Sequence, residues 1–161
     1  EIKEIKMNVE IRELPARRVV FESSKDGYQR DSIMRTWESL MEKAATFKNS
    51  LEEAEKYGIG YDNPQVTPVE KCRYDACVLL ESSDQPPETL KQLEIPEGRF
   101  ACFHFKGSSE KLLQFYLDIY KNWFSSNGYE PGDFPLIEKY LVIDKDNPDA
   151  DIELETQFLL R

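Results

Sequence analysis

The chain has 161 residues, of which 40% are hydrophobic and 32% charged, and its formal net charge is -10. This composition is typical of one globular domain with a real core and excludes a largely disordered chain. The negative charge disfavours direct binding to nucleic-acid backbones or anionic membranes, and no apolar run approaches the roughly 20 residues that span a bilayer. With no secretion signal either, we expect a cytoplasmic domain.

The first half of the chain predicts the order strand, helix, strand, strand. Residues 9–24 contain two short extended pieces broken at Pro15, the second of them rich in β-branched and aromatic residues. Residues 30–47 have apolar residues at helical spacing, which predicts an amphipathic helix. Residues 58–71 then predict a strand end that leads into a loop, and residues 72–81 predict a clear strand.

The same order of elements begins again after a polar, proline-containing segment at residues 82–98, which is predicted to be an internal linker. The second half predicts a strand, a helix and two further strands at 98–107, 108–128, 136–143 and 152–160.

This repeat predicts an α+β fold of duplicated β-α-β-β units, with halves at about 7–82 and 97–161. Such units would form a pseudo-twofold antiparallel sheet with two helices on one face and a ligand cleft on the other. Residues 1–6 are expected to be a leader or linker before a single domain at 7–161.

Two adjacent charges interrupt the apolar strand predicted at 136–143. Strand alternation places Glu138 on one face with Tyr140 and places Lys139 on the other. A carboxylate on an apolar face costs several kcal/mol to desolvate unless it is protonated or meets a cation. We expect Glu138 on the helix-free, ligand-facing side and Lys139 on the helix-facing side; the alternative is a rim carboxylate paired with an Arg or Lys.

Three stretches of the sequence resemble the GyrI-like small-molecule-binding family, which includes effector-binding domains of AraC-type and BmrR-type transcription regulators. They are "GIGYDNPQVTPVEKCRYDACV", "IPEGRFACFHFKG" and "PLIEKYL". The resemblance implies a cleft between the two halves that binds hydrophobic, often cationic or aromatic compounds. It places the central carboxylate on Glu138, and the aromatics that we expect near the cleft are Tyr140, Tyr61, Tyr74, Phe103 and Trp123. Trp123 equally fits a packed helical stripe, and packing is the favoured interpretation of Trp37.

The function predicted on this basis is a drug sensor or sequestering protein, and enzymatic activity is left open. One alternative is a hydrolase of reactive cyclopropane-type compounds, in which Glu138 with Tyr61 or Tyr140 would orient water. Another is an interaction protein that inhibits gyrase or regulates transcription together with a fused DNA-binding domain. Homodimerisation stays open, since an edge strand can pair with a second copy.

Neither a cofactor nor a metal is expected. The chain has one His and three Cys residues with no CxxC pair, which argues against a zinc site. We expect the cysteines to be packed thiols.

Overall fold

The structure is a computed structural model that describes residues 8–142, 147 and 150–161. The leader or linker predicted at residues 1–6, and residue 143 at the end of a predicted strand, lie outside the described residues.

Eight strands of the described residues form one antiparallel sheet. In chain order they are β1 (Val9–Leu14), β2 (Arg17–Ser23), β3 (Lys56–Gly60), β4 (Tyr74–Leu79), β5 (Lys91–Ile95), β6 (Gly98–Gly107), β7 (Leu136–Val142) and β8 (Ile152–Leu159). Their order across the sheet is β1-β6-β8-β7-β3-β4-β2-β5. The predicted α+β class with an antiparallel sheet is thereby confirmed.

The helices lie where the apolar spacing predicts them. Helix α1 spans Arg30–Ala44, and α2 (Leu112–Asp118) continues through a π-helical turn into α3 (Phe124–Asn127). Gly128, at φ 71°, ends this second helical segment in the left-handed conformation that glycine adopts most readily. Within the described part of the chain, no helix combines the length and apolar character needed to cross a membrane.

The two halves exchange their first strands. β1 precedes β2 in the chain but pairs with β6, whereas β5 precedes β6 and pairs with β2. The segment predicted as a linker at 82–98 therefore contains the edge strand β5, because a short alternating run lies between its prolines. Strands β3 and β7 join the halves at the centre of the sheet.

Each helix covers its own half of the same sheet face. Helix α1 packs on β2 and β4, and α2 packs on β6. The central strands β3 and β7 lie between the two areas of the sheet that these helices cover. The opposite, helix-free face has its own apolar cluster. All three cysteines are buried, as predicted for packed thiols: Cys72, Cys77 and Cys102.

Candidate functional site

Glu138 lies at the centre of the sheet among small residues. Strand β7 pairs with β3 and β8, so the cross-strand neighbours of Glu138 are Gly58 and Thr156. The next residue in this row, opposite Gly58, is Ala76 on β4. Because directly opposed residues of antiparallel strands share a face, the carboxylate stands in a row of short side chains. This row of short side chains allows large side chains, such as Tyr74 and Tyr140, to lie over the sheet between the two helices.

The face that carries Glu138 is the helix-bearing face, which is the reverse of the prediction. Tyr116 of α2 donates a hydrogen bond to the Glu138 carboxylate. From the other side, Trp37 of α1 contacts the Tyr140 ring edge-on, with ring centroids 5.6 Å apart. The candidate cleft at Glu138 therefore lies between the helices rather than on the helix-free face.

Lys139 lies on the helix-free face, where its Nζ is 3.3 Å from a carboxylate oxygen of Glu55. The predicted position of Lys139 on the helix-facing side is wrong. Strand alternation determines which residues share a face, but it contains no information on which face the helices cover. The two charges are separated by the sheet as predicted, and the carboxylate keeps its aromatic neighbours.

A chain of hydrogen bonds links both helices to the carboxylate. Trp37 Nε1 donates to Tyr74 Oη at 2.9 Å, the hydroxyls of Tyr74 and Tyr140 are 2.6 Å apart, and Tyr140 donates to Glu138 Oε1 at 3.2 Å. Tyr116 donates to the other oxygen, Oε2. Since Tyr140 uses its one proton on Glu138, Tyr74 must be the donor to Tyr140. Every proton in this series of hydrogen bonds thus points toward the Glu138 carboxylate.

Burial and hydrogen bonding act on the pKa of Glu138 in opposite directions. Burial raises this pKa above the usual glutamate value, while the hydrogen bonds from Tyr116 and Tyr140 oppose the rise. Burial, helped by the nearby Glu138 charge, also raises the pKa of both tyrosines well above its ordinary value. The hydroxyls therefore stay protonated and remain donors at neutral pH.

Gly58 is required by the close approach of two tyrosines. A Cβ atom at this position would overlap the Tyr140 hydroxyl and lie 2.6 Å from Tyr74 Oη. The floor of the cleft is therefore formed by tyrosine side chains that lie over a bare stretch of backbone. Glu138 itself keeps partial exposure.

Of the residues predicted near the cleft, the structure brings Glu138, Tyr140 and Tyr74 together. Tyr61 is separated from them, because it packs against the apolar cluster of the helix-free face and donates to Asp75 Oδ2 at 2.6 Å. The alternative catalytic pair of Glu138 and Tyr61 is therefore not assembled.

Phe103 and Trp123 lie on the helix-bearing face but inside its core. Phe103 is fully buried and meets Trp123 edge-on at 5.0 Å between ring centroids. Trp123 also stacks on Tyr129 at 5.3 Å. These contacts account for both residues by packing beneath α2.

Four residues of the site were absent from the predicted set: Tyr116, Trp37, Gly58 and Thr156. Tyr116 and Trp37 belong to helical apolar stripes, whose spacing is explained by packing alone. Their one distinguishing signal is a polar tip, since buried Tyr and Trp usually find a hydrogen-bond partner.

The described residues contain no group of three or more His, Cys, Asp or Glu side chains arranged to hold a metal ion.

Comparison with known proteins now places the chain in a family. The family model described as "GyrI-like small molecule binding domain" matches residues 7–161, and the chain belongs to this family. It is 27% identical over 137 residues to the "SPbeta prophage-derived putative transcriptional regulator YosT" of Bacillus subtilis (strain 168), covering 83% of this chain and 89% of that protein.

Solved structures share the fold. The crystal structure of the EcmrR C-terminal domain has a TM-score of 0.76 at 16% identity, covering 96% of this chain and 98% of that chain. The cryo-EM structure of an EcmrR–DNA complex has the same TM-score of 0.76 at 16% identity, but there the present domain spans only 57% of the EcmrR chain. A structure of SAV2435 bound to tetraphenylphosphonium has a TM-score of 0.54 at 13% identity, covering 94% of both chains.

Proposed function

We propose that this domain binds hydrophobic cations that carry aromatic groups, in the cleft between α1 and α2, with Glu138 as the receptor for the positive charge. The observation that carries this proposal is a central carboxylate that remains partly exposed and has no cationic partner among the described residues. Aromatic side chains surround it: Trp37, Tyr74, Tyr116 and Tyr140.

A lipophilic cation suits this environment. The hydrogen bonds from Tyr116 and Tyr140 satisfy one acceptor position on each oxygen of Glu138, and a carboxylate has about four in total. Charge neutralisation by a ligand removes the remaining cost of a carboxylate in an apolar cleft. Aromatic rings add cation–π attraction of about 0.5–2 kcal/mol for each good contact.

The ligand must move aromatic side chains when it enters. The hydroxyls of Tyr74 and Tyr140 already occupy the space over Gly58. Rotation of Tyr140, which is only partly buried, would open the floor of the cleft and expose its ring as a wall. Tyr74 is 4% exposed and is held by Trp37, so we expect it to stay in place.

The structural relatives support the same ligand class and a regulatory setting. SAV2435, which has the same fold, was solved with the lipophilic cation tetraphenylphosphonium. EcmrR carries this fold in a protein that binds DNA, and YosT is a putative transcriptional regulator. We propose that the domain acts as a drug sensor or sequestering protein, and that a DNA-binding domain acts together with it.

Titration with tetraphenylphosphonium tests the proposal. We expect micromolar binding by isothermal titration calorimetry, and Glu138→Gln should weaken it at least tenfold because the isosteric amide keeps the shape but lacks the charge. The matched control is Glu153→Gln, which removes the same charge from β8 beside His104 and should change the dissociation constant less than twofold. Equal affinities of wild type and Glu138→Gln would reject Glu138 as the receptor.

A further inference from the structure

A cavity lies on the helix-free face, on the opposite side of the sheet from Glu138. Its volume is about 800 Å³, and it is bounded by the Arg17 end of β2, the Leu79 end of β4 and by Lys139 of β7. Its charged lining residues are Arg12, Arg17, Arg18, Lys139, Glu55, Glu81 and Asp84. The proposed function involves the other face of the sheet and does not use this cavity.

Arg17 is the buried cation of this cavity. Its side chain is only 9% exposed, and it lies between the rings of Tyr57 and Phe100, at 5.1 and 5.4 Å from the ring centroids. Its Nη1 donates to the neutral side chain of Gln157 at 2.7 Å. Among the described residues it has no carboxylate within ion-pair distance, in contrast to Arg12, which pairs with Glu155.

The unpaired atoms of Arg17 are Nε and Nη2. Both are buried and have no hydrogen-bond partner among the described residues. These two nitrogens form one edge of the guanidinium, and their N–H bonds point in the same direction. Such an edge matches the two oxygens of a carboxylate in a bidentate pair. A buried guanidinium with an unsatisfied edge is costly, and an oxyanion at this edge would remove that cost.

The charged groups next to Arg17 are paired, except that Arg18, which is exposed, donates to the neutral side chain of Gln92. Lys139 is paired with Glu55, and Glu55 also accepts a hydrogen bond from Tyr57. Burial raises the pKa of Tyr57 to about 12, and the neighbouring Arg17 charge opposes this rise. Asp84 is paired with Lys48. An incoming anion therefore meets Arg17 as the buried cation of the cavity and Arg18 as an exposed one.

Apolar side chains form another part of the cavity wall, and they indicate the rest of the ligand. They are Leu14, Pro15, Leu79, Leu80 and Pro86. We propose that this cavity is a second binding site, which takes an organic carboxylate with an apolar body and pairs the carboxylate with Nε and Nη2 of Arg17. Neighbouring side chains cover both nitrogens. The acid therefore has to displace one of these side chains when it binds.

Octanoate is a suitable probe, and its amide is a matched neutral control. We expect calorimetry to show octanoate binding with a dissociation constant of about 1 mM or tighter, and at least tenfold weaker binding of octanamide. Inorganic phosphate should not compete. Undetectable octanoate binding, equal binding of octanamide, or full competition by phosphate would each overturn the proposed organic-acid site.

Variants of Arg17 locate the site on the protein. Arg17→Gln should weaken octanoate binding at least tenfold. Arg17→Lys should also weaken it, because the ammonium keeps the charge but loses the bidentate edge. The control Arg35→Gln removes the same charge from the exposed surface of α1 and should leave affinity within twofold. Unchanged affinity in folded Arg17 variants contradicts the proposal; if they fail to fold, the comparison of octanoate with octanamide on the wild type decides.

Discussion

The hydroxyl of Tyr116 donates a hydrogen bond to the carboxylate of Glu138, which ties α2 to the central strand of the sheet. Helix α1 reaches the same carboxylate from the opposite side, through Trp37, Tyr74 and Tyr140. Glu138, at the boundary between the duplicated halves, is therefore connected by hydrogen bonds to both helices, directly to α2 and through Tyr140 and Tyr74 to α1. We therefore expect a ligand that engages Glu138 to act on both helices at once.

Replacing Tyr116 with Phe should raise the pKa of Glu138 further, because the hydrogen bond from Tyr116 is the larger of the two that favour the ionised form. A cation binds the carboxylate form, so the affinity for tetraphenylphosphonium should increase with pH through the pKa of Glu138 and then level off. In Tyr116→Phe this increase should move to higher pH. Calorimetric titration across a pH series measures the shift.

The control for that variant is Tyr120→Phe. Tyr120 lies one turn along the same helical segment, is 48% exposed and packs on Phe124 and Phe158. Its replacement should leave the pH profile unchanged. An identical profile in Tyr116→Phe and wild type would show that the Tyr116 hydroxyl does not tune the carboxylate.

The raised pKa of Glu138 also predicts a pH-dependent stability. Because the folded state binds this proton more tightly than the unfolded state, the Glu138 contribution is most favourable below the ordinary glutamate pKa of 4.5. It declines as the pH rises from there to the folded pKa and is constant above it. Glu138→Gln lacks this titration, so its free energy of unfolding should increase relative to wild type over that window, by about 1.4 kcal/mol for each pH unit.

Urea unfolding of both proteins at several pH values measures this difference. A constant difference between the two free energies of unfolding from about pH 4 to 8 would contradict a raised pKa. Glu153→Gln, which alters a carboxylate on the helix-free face beside His104, serves as the control for a general effect of net charge.

The sequence was sufficient to predict the repeat, both helical segments, every described strand except β5, and the shared face of Glu138 and Tyr140, since all of these follow from periodicity. It was not sufficient to predict which face the helices cover, because that depends on the path of the chain between strands. Tyr116 and Trp37 could not be assigned to the site for a related reason. Their helical spacing predicts burial, but only the position of each helix over the sheet brings its polar tip to Glu138.

The linker prediction illustrates a second limit. The prolines at 86, 87 and 96 correctly indicate breaks in regular structure, but the short run between them forms edge strand β5 against β2. A run of five residues with one buried position has too little pattern to be recognised. Its pairing partner lies in the other half of the repeat, which local periodicity does not reveal.

Gly58→Ala should destabilise the domain by about 1–3 kcal/mol, because the added methyl group collides with two tyrosines in a packed region. The Cβ atom would lie 2.9 Å from Tyr74 Cε2, and Tyr74 has no room to retreat at 4% exposure. Gly60→Ala is the matched control on the same strand and face, where the Cβ atom would meet only the tip of Tyr28 at 3.0 Å. The stabilities of both variants can be measured by thermal unfolding. Equal decreases in melting temperature for the two variants would contradict the close approach at Gly58.

The two tryptophans of the chain provide a direct test of where the ligand binds. Trp37 contacts Tyr140 and donates to Tyr74 at the edge of the cleft, whereas Trp123 lies in the core between Phe103 and Tyr129. Tetraphenylphosphonium bound at Glu138 should therefore quench Trp37 and leave Trp123 almost unaffected. Quenching should be retained in Trp123→Phe and lost in Trp37→Phe.

Trp37→Phe also removes the Nε1 donor to Tyr74, so its stability should fall by about 1 kcal/mol. The affinity of each variant must be measured by calorimetry, so that loss of quenching is distinguished from loss of binding. If Trp37→Phe still binds the cation but its fluorescence no longer responds, the ligand lies beside Trp37. If quenching instead persists in Trp37→Phe and vanishes in Trp123→Phe, the cation enters the core beneath α2, and the Glu138 cleft is not its site.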